Sequence, residues 1–142
     1  MRLFLDANVL FSAGYLDGSK PEALFRLSGA GLCELIASRY TIEEARRNLA
    51  RKRPERLPTL EQLSSSLMVC AEPAKDDIEW ALTQGLDLKD APVLAAAVQA
   101  RADALVTGDR TDFGRLYGRS LRGVEILTPA AALDRLLSAA GV

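Results

Sequence analysis

Short apolar runs alternate with longer stretches of mixed polarity along the chain, and that alternation predicts the order of its elements. Arg2 to Leu5 is an apolar run closed by an acid, Asp6, and reads as a buried strand. A helix is predicted from about Pro21, whose fixed φ suits a first turn, to Ser28, ahead of Gly29 and Gly31. Leu32 to Ala37 reads as a second strand. Thr41 to Arg53 reads as a helix, with Thr41 and Glu44 at capping-box spacing and Pro54 as its stop. A further helix is predicted over Thr59 to Ser66, then a strand-like run from Leu67 to Cys70. Pro73 to Gln84 is helical, with Ile78, Ala81 and Leu82 on one side and Gly85 at its end. Asp90 to Ala102 is alanine-rich and strongly helical. Ala104 to Thr107 is a buried strand followed by a turn at Gly108 and Asp109, Val124 to Leu127 is another strand, and Pro129 opens a final helix, AALDRLLSAA.

Strands that alternate with helices form βα units, which pair in parallel and place helices on both faces of the sheet. The predicted fold is α/β: a three-layer α/β/α, Rossmann-like arrangement with a central parallel sheet of four to five strands. No linker, repeat or low-complexity segment interrupts it, so residues 1–142 are expected to form a single domain.

Composition narrows the class. A chain of 142 residues with 49% hydrophobic and 26% charged positions is that of a globular protein, not a disordered or fibrous one. Its net charge of −1 gives no overall pull toward polyanions, so any such affinity must come from local charge placement. Cys33 and Cys70 lie in apolar strand-like runs, match no metal-ligand spacing and are expected to be buried reduced thiols. The apolar N-terminus carries Asp6 in its middle and lacks a basic region, which argues against a signal sequence. No apolar run approaches the ~20 residues of a membrane span, so a cytoplasmic protein with no membrane association is expected. Histidine is absent, which excludes a metal-free ribonuclease built on paired histidines.

The chemistry lies in the acids. Ligands of parallel sheets bind at the carboxyl ends of the strands. Asp6 follows the first strand and Asp109 follows ALVT, so the two share an edge if their strands are neighbours. Glu44, one turn into the helix after the second strand, faces the same edge. Asp90 opens the helix before ALVT, and its placement depends on the 85–90 loop lying along that edge. Each acid alone also fits a local task. Asp6, Asp90 and Asp109 precede a helix or turn where aspartate caps free amides, Asp109 and Asp112 have capping-box-like spacing, and Glu44 could reach back toward Thr41. Together, with no histidine or lysine interleaved, four carboxylates would raise one another's pKa unless a cation neutralised them. Oxygen-only ligands favour Mg²⁺ or Mn²⁺ over Zn²⁺. One ion or two could be held, and a pair ~3.5–4 Å apart would clamp both oxygens of an in-line phosphoryl displacement.

The most basic stretch, ARRNLARKRPER, sets Arg46, Arg47, Arg51, Lys52, Arg53 and Arg56 against Glu55 alone. It is either a solvated helix surface or a phosphate track leading from the acids. Arg46, Arg47, Arg51 and Arg110 are the candidate nucleic-acid contacts, with Arg115, Arg119 and Arg122 as a further wall. Tyr15 and Tyr40 are candidates for stacking on unpaired bases, whereas Phe113 is expected in the core.

Three segments, FLDANVLFSA, SRYTIEEARRNL and DLKDAPVLAAAVQARADALVTGDRTDF, resemble the successive motifs of PIN-domain nucleases, in order and at the right separations, over about residues 2 to 128. The resemblance implies a Mg²⁺- or Mn²⁺-dependent endoribonuclease in which activated water cuts RNA to 5′-phosphate and 3′-hydroxyl ends. Asp6, Glu44, Asp90 and Asp109 match the family's four metal-binding catalytic acids, and Asp112 an additional acid of many members. Asn8 and Thr107 stand where polar groups orient those carboxylates. The subtype is similar to the VapC-like toxin components of toxin–antitoxin pairs, which implies a small antitoxin partner, and relatives commonly form homodimers. Two other readings remain. A haloacid-dehalogenase-type phosphohydrolase wants a second aspartate where this chain has Asn8, and a catalytically silent interaction module would not need the complete set of acids.

Overall fold

The computed structural model describes residues 1–141; residue 142, the last of the expected domain span, lies outside it. The strand runs that look uniformly apolar are sorted by the pleat into two faces, because successive side chains point to opposite sides of a sheet. Strand β1 (Arg2–Leu5) sends Leu3 and Leu5 to one side and Phe4 to the other. Strand β2 (Glu34–Ser38) does the same with Leu35 and Ala37 against Ile36. Strand β4 (Ala104–Val106) divides Ala104 and Val106 from Leu105. Each face buries its own core, and the result is three layers.

The first core packs under helices α1 (Ala7–Tyr15), α2 (Lys20–Gly29), α3 (Arg39–Lys52), α4 (Leu57–Ser64) and α7 (Pro129–Ala139). The second packs under α5 (Lys75–Leu82) and α6 (Ala91–Gln99), whose alanines allow close approach to the sheet. Strand β3 (Met68–Cys70) lies at one edge with Met68 and Val69 exposed. The strand order is β3-β2-β1-β4-β6-β5, where β5 is Ser120–Leu121 and β6 is Val124–Leu127. The chain builds outward from β1 on one side and then crosses to β4 on the other. That reversal opens a crevice at the carboxyl ends of β1 and β4, which is where ligands of such sheets bind.

Several expectations are corrected. The sheet has six strands rather than four to five, and β5 runs antiparallel to β6. Their connection is a two-residue turn at Arg122 and Gly123, both with positive φ (49° and 83°), as a type I′ hairpin requires. Arginine is an unusual first residue for such a turn, so this hairpin carries no strong sequence signal. Helix α1 carries no helical period in the sequence because ANVLFSAGY is apolar nearly all round; it is a buried helix, not an amphipathic one. Helix α3 starts at Arg39, and its capping box pairs Ser38 with Thr41, leaving Glu44 out of it. The cysteines are free but only half-buried. No helix among the described residues is long and apolar enough to cross a membrane.

Gly14 lets α1 close onto α3 and α4: a Cβ there would sit 3.1 Å from Leu49 Cδ2 and 3.2 Å from Leu60 Cβ. Gly14→Val should therefore destabilise the protein by about 1–3 kcal/mol through overpacking. Urea denaturation should show a lower midpoint with an unchanged slope; a wild-type midpoint would mean that this contact yields freely.

Candidate active site

Asp6 leaves β1 at the crevice, where its backbone amide continues the ladder by donating to Val106 O at 3.0 Å. Its side chain is 4% exposed and fully engaged. Oδ1 accepts from Ala7 N–H at 2.7 Å, while Oδ2 accepts from the Thr107 hydroxyl at 2.9 Å and from Asn8 Nδ2 at 3.3 Å. Asn8 Nδ2 also reaches Thr107 Oγ1 at 3.3 Å, and Asn8 Oδ1 accepts from Gly108 N–H at 2.8 Å. The ends of β1 and β4 are thus laced together by Asp6, Asn8 and Thr107. Tyr117, which sequence reasoning passed over, places its hydroxyl 2.8 Å from Thr107 O and 2.9 Å from Asp109 O, bracing the same turn.

Beside this lacing lies a cavity of about 300 Å³ whose lining includes Asp6, Glu44, Asp90 and Asp109. The four acids singled out from the sequence are therefore brought together. Asp6 does cap α1, as the local reading allowed, and Asp109 Oδ1 closes its own turn by accepting from Thr111 and Asp112 N–H at 2.9 and 3.0 Å. Asp90 does neither. Its side chain makes no capping bond, the residue is 5% exposed, and its Oδ2 is enclosed with no hydrogen-bond partner.

The tightest carboxylate group is a different one. Asp87, Asp90 and Asp112 each bring an oxygen within 4.8 Å of the others. Asp112, expected with the other four, meets Asp90 from the far side and does not line the cavity. Asp87 was not anticipated. Its Oδ1 accepts from Lys89 and Asp90 N–H, both at 2.9 Å, and the D-x-x-D spacing was the available signal. Those two amides hold the Asp87 carboxyl below its ordinary range.

One premise of the sequence reading is overturned: a lysine does interleave. Lys89 lines the cavity, and its Nζ stands 3.6 Å from Glu44 Oε1. Glu44 is the chief reason the ammonium pKa is raised. Asn48, Arg51 and Lys52 complete the α3 wall. Arg47 lies next to Arg51 on the helix surface, and Arg46 is held by Glu43 at 2.6 Å and Glu61 at 2.7 Å, away from the cavity. Arg110 stands beyond the Asp109 turn. Arg53 and Arg56 are structural, donating to Tyr15 O and Gly14 O. Phe113 is wholly buried, Tyr15 is exposed, and Tyr40 donates to Lys89 O at 3.0 Å.

The electrostatics are strained. Burial raises the Asp6 pKa; hydrogen bonds from Thr107 and Ala7 offset it in part, and Glu44 and Asp109 add to it. Burial, then the neighbouring Asp112 and Asp87, push Asp90 up to about 8. The donor set is carboxylate oxygen flanked by amides, and Asp90 Oδ2 has no donor to satisfy it, which fits a hard divalent cation. Asp6, Glu44, Asp90 and Asp109 are the residues that could hold one.

A raised folded-state pKa means that the folded protein keeps a proton the unfolded chain would lose. The contribution of Asp90 to stability is thus fully present below its ordinary pKa of 3.8 and is lost as pH rises toward about 8. In EDTA, Asp90→Asn should melt a few degrees above wild type at pH 8, with the difference shrinking toward pH 4. Thermal melts that stay parallel across that range would show that Asp90 is not protonated in the metal-free fold.

A family model described as a PIN domain matches residues 2–111. No curated protein matches the sequence significantly. Among solved structures, the chain is similar to PAE2754 from Pyrobaculum aerophilum (TM-score 0.69, 21% identity, covering 97% of this chain and 96% of that one). It is also similar to VapBC2 from Rickettsia felis, solved bound to a DNA fragment from their promoter (TM-score 0.67, 17% identity, 90% and 98%). VapBC-1 from nontypeable Haemophilus influenzae is a third (TM-score 0.59, 20% identity, 92% and 99%). These likenesses establish a shared fold, and the family match extends through the Asp109 turn, so the chain belongs to the PIN-domain family of nucleases.

Proposed function

We propose that the protein is a Mg²⁺- or Mn²⁺-dependent endoribonuclease whose catalytic acids and metal ligands are Asp6, Glu44, Asp90 and Asp109, with Asp112 as an auxiliary acid behind Asp90. The observation that carries this reading is the convergence of the four carboxylates on one cavity at the sheet's switch point. A bound ion there would polarise the phosphoryl group and lower the pKa of water to that of a usable nucleophile. The chain's own residues do the rest. Thr107 and Asn8 hold Asp6 in one orientation at the cavity wall, so the carboxylate would not need to reorient to hold an ion. Glu44, whose side chain is 22% exposed and paired with Lys89, can exchange that ammonium for an ion.

Arg51 and Lys52 on the cavity wall, with Arg47 beside them and Arg110 past the Asp109 turn, are suited to take the flanking phosphates. Arg46 is the least suited, since two glutamates already hold it. Water attack does not use a 2′-hydroxyl, so the preference for RNA over DNA rests on the family. The likeness to structures of VapBC pairs supports a role as the toxin of a toxin–antitoxin pair, acting as a homodimer under the control of a small antitoxin. A dehalogenase-type mechanism is disfavoured by Asn8, whose amide ties down three neighbours and is no general acid.

Purified protein should cleave single-stranded RNA with Mg²⁺ or Mn²⁺, lose cleavage in EDTA, and lose it to background in Asp6→Asn. Thr107→Val, which leaves the acids in place, should cost about 10–100-fold in activity or metal affinity. Undiminished cleavage in EDTA would refute the metal mechanism.

A further inference from the structure

Asn8 lines the acid cavity, and Gly108, whose N–H donates to Asn8 Oδ1, lines a second cleft of about 500 Å³. It is bounded by the end of α1, the starts of α2 and α7, and the turn after β4. Its character is the reverse of its neighbour's. No acid lines it, while two cations do, Lys20 and Arg110. Both are exposed, and among the described residues neither has an ion pair, whereas Arg2, Arg26, Arg46, Arg56 and Arg135 each hold a carboxylate. The dipole ends of α2 and α7 add positive potential. The uncharged lining is a mix: Ser12, Ser19 and Thr128 are polar, while Leu16, 56% exposed, and the rings of Pro21 and Pro129 form an apolar patch. Tyr15 also lines the cleft, its ring packed against Phe11 at 5.3 Å with the Arg53 guanidinium over it at 5.1 Å.

An apolar surface edged by unpaired cations, one hydrogen bond away from a phosphodiesterase site, matches a nucleotide: a flat apolar base with an anionic phosphate. The volume is within the ~300–1,000 Å³ that small-ligand sites occupy. We propose that this cleft binds the nucleotide adjacent to the scissile phosphate, with its base against Leu16, Pro21 and Pro129 and its phosphate at Arg110 and Lys20. A base enters only if it is unstacked, so the cleft selects single-stranded substrate. The inference rests on the nuclease reading of the acid cavity.

The test is equilibrium binding of a fluorescent single-stranded RNA across a range of salt, with Ca²⁺ in place of Mg²⁺. Lys20→Gln and Arg110→Gln should each weaken binding and lower the slope of log K against log salt by about 0.7. An abasic residue scanned along the RNA should cost wild type about 5- to 150-fold at one position, the range expected for losing one stacked base. Leu16→Ser should flatten that scan. Variants that bind with the wild-type slope and scan, from a protein that does bind RNA, would overturn the cleft assignment and leave the nuclease reading intact. So would variants that bind RNA normally but lose self-association or a protein partner, which would make the cleft a docking surface. A wild-type protein that binds no RNA would overturn both.

Discussion

Carboxylates that share a small cavity repel one another, and burial sharpens the repulsion because little water remains to screen it. In this fold the repulsion is built into the scaffold. Asp6 is fixed by the end of β1, Asp109 by the turn after β4, Glu44 by α3 and Asp90 by α6. The neighbouring structure reads as a response to that load. Amide and hydroxyl donors from Ala7, Asn8 and Thr107 surround Asp6, Tyr117 stiffens the turn that carries Asp109, and Lys89 supplies a tethered positive charge. Asp90 alone has no donor for its enclosed oxygen. Burial and the adjoining Asp112 and Asp87, rather than the other cavity acids, hold its carboxyl well above the ordinary range.

Charge is divided across a short distance. On one side of the Asn8–Gly108 bond four acids face a cavity, and on the other Lys20 and Arg110 edge a cleft with no acid at all. With a net charge of only −1, bulk attraction to a polyanion is negligible, so on the proposed function such local separation would have to orient a nucleic acid over the acids. Much of the basic stretch turns out to serve the fold instead. Arg46, Arg53 and Arg56 fasten α3 and the segment after it to α4 and to the end of α1.

The parts of the structure legible in the sequence were those with strong local patterns. The strands around Leu3–Leu5 and Ala104–Val106, the alanine-rich α6 and the acids at the strand ends all announced themselves. What was hidden depended on tertiary context. Helix α1 has no polar face to give it a period, and the β5–β6 hairpin turns on an Arg-Gly pair that only the sheet enforces. The Ser38–Thr41 box displaced the expected Thr41–Glu44 pair, which frees Glu44 for the cavity. Asp87 and Lys89 sit in a loop whose path along the sheet edge decides whether they meet the acids, and no local rule fixes such a path.

On the proposed function, a divalent cation would displace the proton held by the Asp90 carboxyl, whose pKa burial, Asp112 and Asp87 raise to about 8. Calorimetric titration of Mn²⁺ into the protein at neutral pH, repeated in buffers of different ionisation enthalpy, measures that exchange directly. Binding should release about one proton per site filled, because a carboxyl with a pKa of about 8 must ionise to become a ligand. Binding with no proton release, or no binding at all, would contradict it.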